Sequence, residues 1–184
     1  MDNFFAYNFQ GVEIVESATT LDDRGSSTKL VESIRSLGLG EIDNLLLSRN
    51  TTQGTVRGLH FQISPNSESK IVTCITGKVM DYIVDLRPNS KTFGKWSKNL
   101  LDSRTPSVLV IPKGVAHGYQ TLSTDTSILY GIDTQYSSVH QIVLSIFDSD
   151  LSIPLEQKVS NISDRDLNGI SMKEAMSLLQ SSSK

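Results

Sequence analysis

Cysteine is nearly absent from this 184-residue chain: Cys74 is the only one, so no intramolecular disulfide can form. It lies in the apolar stretch Ile71-Val72-Thr73-Cys74-Ile75, where a small buried side chain is the expected role. A reducing cytoplasm is the compartment that fits. No apolar run approaches the roughly 20 residues a membrane-spanning helix needs. Met1-Asp2-Asn3-Phe4-Phe5 has neither the basic segment nor the long apolar core of a secretion signal. Positive charge is not gathered anywhere: 17 Lys and Arg stand against 20 Asp and Glu, net −3, with no basic run. That removes the electrostatic ground for binding nucleic acid or an anionic membrane. An anionic ligand would need arginines and lysines gathered inside a pocket.

What is present describes an ordinary globular chain, 38% hydrophobic and 20% charged, of a length that suits one domain over residues 1–184. There is no internal repeat and no long linker. Short β-rich runs punctuated by Gly, Pro, Asn and Ser predict strands at 12–15, 45–49, 56–61, 70–76, 79–86, 94–100, 108–111, 117–122, 127–133 and 141–145. Gly77-Lys78 reads as a hairpin turn between two of them. In the run 79–85, Val79, Asp81, Ile83 and Asp85 alternate with Met80, Tyr82 and Val84, the two-residue period of a half-buried strand. Leu30, Val31, Ile34 and Leu37, stopped by Gly38, predict one helix. Ser171-Met172-Lys173-Glu174 opens a second with capping-box spacing, and the chain after Gln180 is expected to fray. Many short strands with little helix predict an all-β sandwich or barrel, and a jelly roll suits the size.

Two motifs carry the chemistry. Arg57-Gly58-Leu59-His60-Phe61-Gln62, read as a strand, puts Arg57, Leu59 and Phe61 on one face and Gly58, His60 and Gln62 on the other. By itself His60 is equally well read as a hydrogen-bonded core histidine. Ile111-Pro112-Lys113-Gly114-Val115-Ala116-His117-Gly118-Tyr119 has Pro-x-Gly-x-x-His spacing, a tight turn that returns a histidine onto the next strand. That spacing is similar to the cupins, whose jelly-roll barrel holds its site in the open interior. Metal-binding cupins supply His-x-His and a glutamate from the first motif. Here it reads His60-Phe61-Gln62, with no glutamate before Glu68 in a Pro/Asn/Ser loop. Two imidazoles without an anionic partner make a poor divalent-cation site, so neither metal nor cofactor is expected.

A more specific resemblance rests on motifs in fixed order from about residue 11 to 167. These are Asp23-Arg24-Gly25, Gly54–Gln62, Lys70-Ile71-Val72, Gly77–Asp81, Val84-Asp85-Leu86-Arg87, Ser90–Trp96, Ile111–Gly118, Leu129-Tyr130, Tyr136 and Ile162–Asp166. Together they resemble the dTDP-4-dehydrorhamnose 3,5-epimerase family, which implies an all-β cupin jelly-roll barrel with short peripheral helices. The resemblance implies His60 as the base, Asp166 as the carboxylate that orients it, Lys70 facing the enolate oxygen, and Tyr130 as the acid on the opposite face of the sugar. It implies Arg24 and Arg57 for the pyrophosphate, Tyr136 stacking on the base, and His117, Gln62 and Gln141 as further substrate contacts. It also implies a nucleotide-sugar substrate and a homodimer in which residues before about Leu21 take part. His140 has no counterpart and reads as a surface residue.

The sequence departs from the family where Leu45-Leu46-Leu47 replaces a polar Gln-x-Asn stretch and where Lys29 and Gln141 stand in place of glutamates. The alternatives therefore stay open: an enzyme that inverts one centre or uses CDP or GDP, a metal-dependent cupin, or a non-enzymatic sugar-binding jelly roll.

Overall fold

The structure, a computed structural model, describes residues 9–32, 37 and 39–181. The chain opens with β1 (Glu13–Glu16), β2 (Ala18–Asp22) and β3 (Gly25–Lys29), followed by β4 (Asn44–Asn50), β5 (Val56–Gln62) and β6 (Lys70–Thr76). It continues with β7 (Lys78–Asp85), β8 (Trp96–Asp102), β9 (Ser107–Ile111), β10 (Val115–Thr121), β11 (Thr126–Ile132) and β12 (Gln141–Val143). Two helices, α1 (Asp164–Leu167) and α2 (Met172–Ser181), follow. Each predicted strand is present within a few residues. The β2–β3 hairpin and α1 were not foreseen. Residues 33–36 of the helix expected over residues 30–37 lie outside the described residues, and its described start, Leu30–Glu32, is not helical. Since α2 runs to Ser181, the expected fraying concerns residues 182–184, which also lie outside them.

Two antiparallel five-stranded sheets face each other, ordered β1-β9-β6-β11-β4 and β12-β5-β10-β7-β8, in the all-β jelly-roll barrel the sequence predicts. Between them, Val72, Leu109 and Ile128 from the first sheet pack against Val79, Ile83 and Tyr119 from the second. Gly77 is not a hairpin turn. β6 belongs to the first sheet and β7 to the second, so the chain crosses between sheets at Gly77, whose φ of +76° an L side chain rarely adopts.

β7 is likewise buried on both faces rather than half-buried. Val79 and Ile83 enter the inter-sheet core, and Tyr82 and Val84 enter a second core formed with Leu144, Leu151, Met172 and Ala175. The C-terminal segment therefore roofs the outer face of the second sheet. α2 has the foreseen capping box, with Ser171 N–H donating to Glu174 Oε2 at 2.7 Å. Burying an apolar side chain is worth about 1.5–3 kcal/mol and a cap about 1 kcal/mol, so Met172 and Ala175 anchor α2 more firmly than its cap does.

Candidate active site

The site begins with a break in strand alternation. On β10, His117 and Tyr119 are two residues apart and share a face; on β5 their partners are His60 and Arg57, three apart. The extra residue is a bulge, and it turns Arg57 onto the His60 face, contrary to simple alternation. Two glycines make the local packing possible. A Cβ on Gly58 (φ +104°) would lie 2.6 Å from Gly118 Cα, and one on Gly118 would lie 2.6 Å from the Arg57 carbonyl oxygen. Only glycine fits at either position.

His60 reaches Asp166 Oδ1 through Nε2 at 2.7 Å. Ser163 caps α1 by accepting the Asp166 N–H, and this four-residue helix delivers the carboxylate from more than a hundred residues away. Burial pushes the Asp166 carboxyl up, but the His60 ring, the Gly58 N–H and Ser163 together outweigh it and hold the group below the usual carboxylate range. An ionised Asp166 can only accept, so Nε2 carries a hydrogen, and in the neutral ring the lone pair is on Nδ1. A base is thus set up in one tautomer.

His117 has a carboxylate of its own: Nε2 lies 2.5 Å from Asp81 Oδ2, and both side chains are buried. Burial raises the Asp81 carboxyl, with the attraction of His117 acting the other way. Each imidazole thus has its own carboxylate: Asp166 for His60, as the resemblance implies, and Asp81 for His117, which sequence reasoning did not assign. Among the described residues no three His, Cys, Asp or Glu side chains converge as metal ligands. Tyr130, on β11 of the opposite sheet, meets His117 edge-on at 5.9 Å between ring centroids. Burial, then the neighbouring Tyr119 and Asp81, push its phenol well above its ordinary value, while Arg57 acts in the other direction. The hydroxyl therefore keeps its proton.

Lys70, at the start of β6, is 4% exposed, and its Nζ donates to Glu68 Oε1 at 2.8 Å. Glu68, in the loop between β5 and β6, is part of the cavity wall. Gln62 is also buried, but its amide is committed to Glu68, the Gln135 carbonyl and the Ser137 N–H, and it does not line the cavity.

One cavity of about 560 Å³ lies between the sheets, lined by His60, Glu68, Lys70, His117 and Tyr130. Arg57, Tyr136, Gln141, Leu45 and Leu46 line it as well, and Asn50 accepts from Arg57 Nε at 2.8 Å. The first-motif histidine, the second-motif histidine, Lys70, Tyr130, Arg57, Tyr136 and Gln141 are thus brought together, with Asp166 directly behind His60. Arg24 is not among them. It sits at the tip of the β2–β3 hairpin in a separate shallow depression, its side chain 89% exposed and paired with Asp22. His140 is half-buried, its Nδ1 2.9 Å from Ser137 Oγ. Asp81, Glu68 and Arg165 were missed by sequence reasoning. Arg165 lines the cavity and donates to Gln141 Oε1 at 2.5 Å and to Tyr136 Oη at 3.4 Å. Its only sequence signal is its place next to Asp166.

Comparison with known proteins points the same way. The family profile described as dTDP-4-dehydrorhamnose 3,5-epimerase matches residues 6–174. A relative from Shigella flexneri with that name is 40% identical over 121 residues, 65% of this chain and just under two thirds (66%) of its own length. The crystal structure of dTDP-4-dehydrorhamnose 3,5-epimerase from Bacillus anthracis, with TDP and PPi bound, is 32% identical. It superposes with a TM-score of 0.86 over 90% of this chain and 97% of that one. A Legionella pneumophila dTDP-6-deoxy-D-glucose-3,5-epimerase in complex with dTDP-4-keto-L-rhamnose is 29% identical, with a TM-score of 0.83, over 91% and 90% of the two chains. The chain belongs to the dTDP-4-dehydrorhamnose 3,5-epimerase family.

Proposed function

We propose that this protein inverts C3 and C5 of a nucleotide-linked 4-keto-6-deoxyhexose, with dTDP-4-dehydro-6-deoxyglucose as the default substrate. The observation that carries the proposal is the placement of His60 and Tyr130 on opposite sheets of one cavity, with Lys70 beside Tyr130's strand. A sugar ring between the sheets would present one face to each. His60 Nδ1 takes the proton next to the ketone, and Asp166 stabilises the imidazolium that results. Lys70 donates to the C4 oxygen as it gathers the enolate charge, an interaction typically worth about 10²–10³ in rate. Tyr130 then gives its proton to the other face, and the centre inverts. None of these steps needs a metal or cofactor, and activity is expected to survive exhaustive chelation.

Arg57 and Arg165, cations bordering the cavity, suit the pyrophosphate, and exposed Tyr136 suits stacking on the base. His117 and Gln141 complete the set. The nucleotide ligands named for the Bacillus and Legionella proteins support this class of substrate. A homodimer belongs to the same reading. The β2–β3 hairpin pairs only with itself and is exposed almost throughout, while edge strand β4 shows Leu45, Leu46 and Leu47 to solvent. An isolated hairpin is marginal in water, and an apolar edge strand calls for cover. Cytoplasmic residence is supported by a lone, buried, free cysteine.

The test is incubation with the 4-keto sugar nucleotide in deuterated water, followed by proton NMR. Wild type incorporates deuterium at C3 and C5 with inversion, and His60→Ala loses about 10²–10⁴ in exchange rate. A wild type that leaves both positions protonated removes the proposal.

A further inference from the structure

Glu68 takes no part in the reaction just described, yet its carboxylate is nearly buried and receives two converging donors. Lys70 Nζ reaches Oε1 at 2.8 Å, and Gln62 Nε2 reaches Oε2 at 2.9 Å. The Gln62 amide cannot turn round, because its Oε1 accepts the Ser137 N–H at 2.7 Å while Nε2 also donates to the Gln135 carbonyl at 3.3 Å. Two donors arriving at two separate oxygens are satisfied by a carboxylate. An amide at this position would aim an NH₂ group at one of them. The ammonium has its own requirement: a lysine 4% exposed is costly to hold charged without a paired anion. Among the described residues, Glu68 is the only hydrogen-bond partner of Lys70 Nζ.

We infer that Glu68 is a positioning residue for Lys70: its carboxylate fixes the direction of the ammonium inside the cavity, and Gln62 ties it to the 135–137 segment that carries Tyr136. This rests on the role proposed for Lys70. One of the three ammonium N–H groups is committed to Glu68, which leaves two to meet the C4 oxygen. The chain of contacts Lys70–Glu68–Gln62–Ser137 also joins the enolate end of the cavity to the aromatic proposed to hold the nucleotide. Order at Tyr136 and order at Lys70 are thereby coupled.

The direct measurement is ¹⁵N NMR of the lysine side chains at neutral pH. Wild type shows one ordered, slowly exchanging ammonium signal, assigned by its loss in Lys70→Arg. In Glu68→Gln that signal disappears, and in Glu68→Asp, which keeps the charge, it remains. With the sugar nucleotide, Glu68→Gln lowers kcat by about 10–100-fold while KM stays within about threefold, and Glu68→Asp recovers part of the loss. The double variant Glu68→Gln/Lys70→Ala falls no further than Lys70→Ala alone, because Glu68 acts only through Lys70. The inference is overturned by a wild type without the ammonium signal, by a signal unchanged in Glu68→Gln, by Glu68→Asp being no better than Glu68→Gln, or by losses that multiply in the double variant. If Glu68→Gln does not fold, the wild-type signal and Glu68→Asp decide. Loss of the epimerase reading looks different: wild type would be inactive, or Lys70→Ala would keep its kcat, while the NMR comparison still judges the pairing.

Discussion

At the scale of single residues, the two groups proposed to handle protons sit in different surroundings. Asp166, held ionised by the contacts it accepts, fixes the hydrogen of His60 on Nε2 and frees Nδ1 as a base. Burial keeps the Tyr130 phenol protonated, the form the proposed acid requires. Tyr130→Phe therefore separates the two half-reactions. Base and Lys70 remain, the ring keeps its size, and only the hydroxyl is lost. Deuterium from solvent is expected to enter C3 or C5 with the starting configuration retained, while inversion slows by about 10²–10⁴ at one or both centres. Isotope content and ring couplings in the same proton NMR spectrum report both events. Exchange and inversion falling in parallel would assign the opposite-face proton to another group.

At the scale of elements, the turn after β7 shows what holds the frame of the site. Asp85 is fully buried and collects both forks of Arg87 at 2.8 and 2.7 Å, with Ser90 and Thr92 hydroxyls at 2.6 Å each. Burial alone would raise this carboxyl; the donors outweigh it and bring it down to about 2. A folded-state value below the ordinary carboxylate value of about 4 stabilises the fold above that pH, and the contribution is lost as pH falls through about 2. The shift corresponds to about 2 kcal/mol. In urea unfolding at a series of pH values, Asp85→Asn is expected to be less stable than wild type at pH 5–7, with the gap narrowing steadily below about pH 4. A gap that stays constant with pH would mean that the ionised carboxylate contributes nothing specific.

At the scale of the whole molecule, Arg24 stands apart from the cavity on a hairpin that touches no core, while the cavity opens beside an uncovered leucine edge. Both features are accounted for if a second copy of the chain covers β4 and the hairpin brings Arg24 to its partner's cavity. Light scattering at micromolar concentration is expected to give twice the chain mass. Arg24→Ala and His60→Ala, each deficient alone, are expected to recover about a quarter of wild-type activity when mixed and allowed to exchange, since half the dimers then hold one intact site. A strictly monomeric protein, or a mixture no more active than its parts, would leave Arg24 without a role in the site.

The strand runs were legible because each carries its own apolar alternation and stops at Gly, Pro, Asn or Ser, and the capping box of α2 was legible because its partners lie three residues apart. Period and spacing are local, so the sequence determines them by itself. His60, Lys70, Tyr130 and Asp166 could be singled out by their motifs, but only the tertiary structure brings Asp166 to His60, across 106 positions, through a one-turn helix too short to leave a periodic signal. The same holds for the alternation of β5, where the register of β10 decides that Arg57 shares a face with His60. The two-sided burial of β7 depends on a roof supplied by the far end of the chain. The burial of Glu68 in its loop was not legible because solvation is set by what closes over it, and Gly77 looked like a hairpin because a turn residue bends the chain without saying which strands it joins. Local geometry is written in neighbouring residues. Pairing across the barrel, and the charge states it imposes, exist only once distant segments have buried one another.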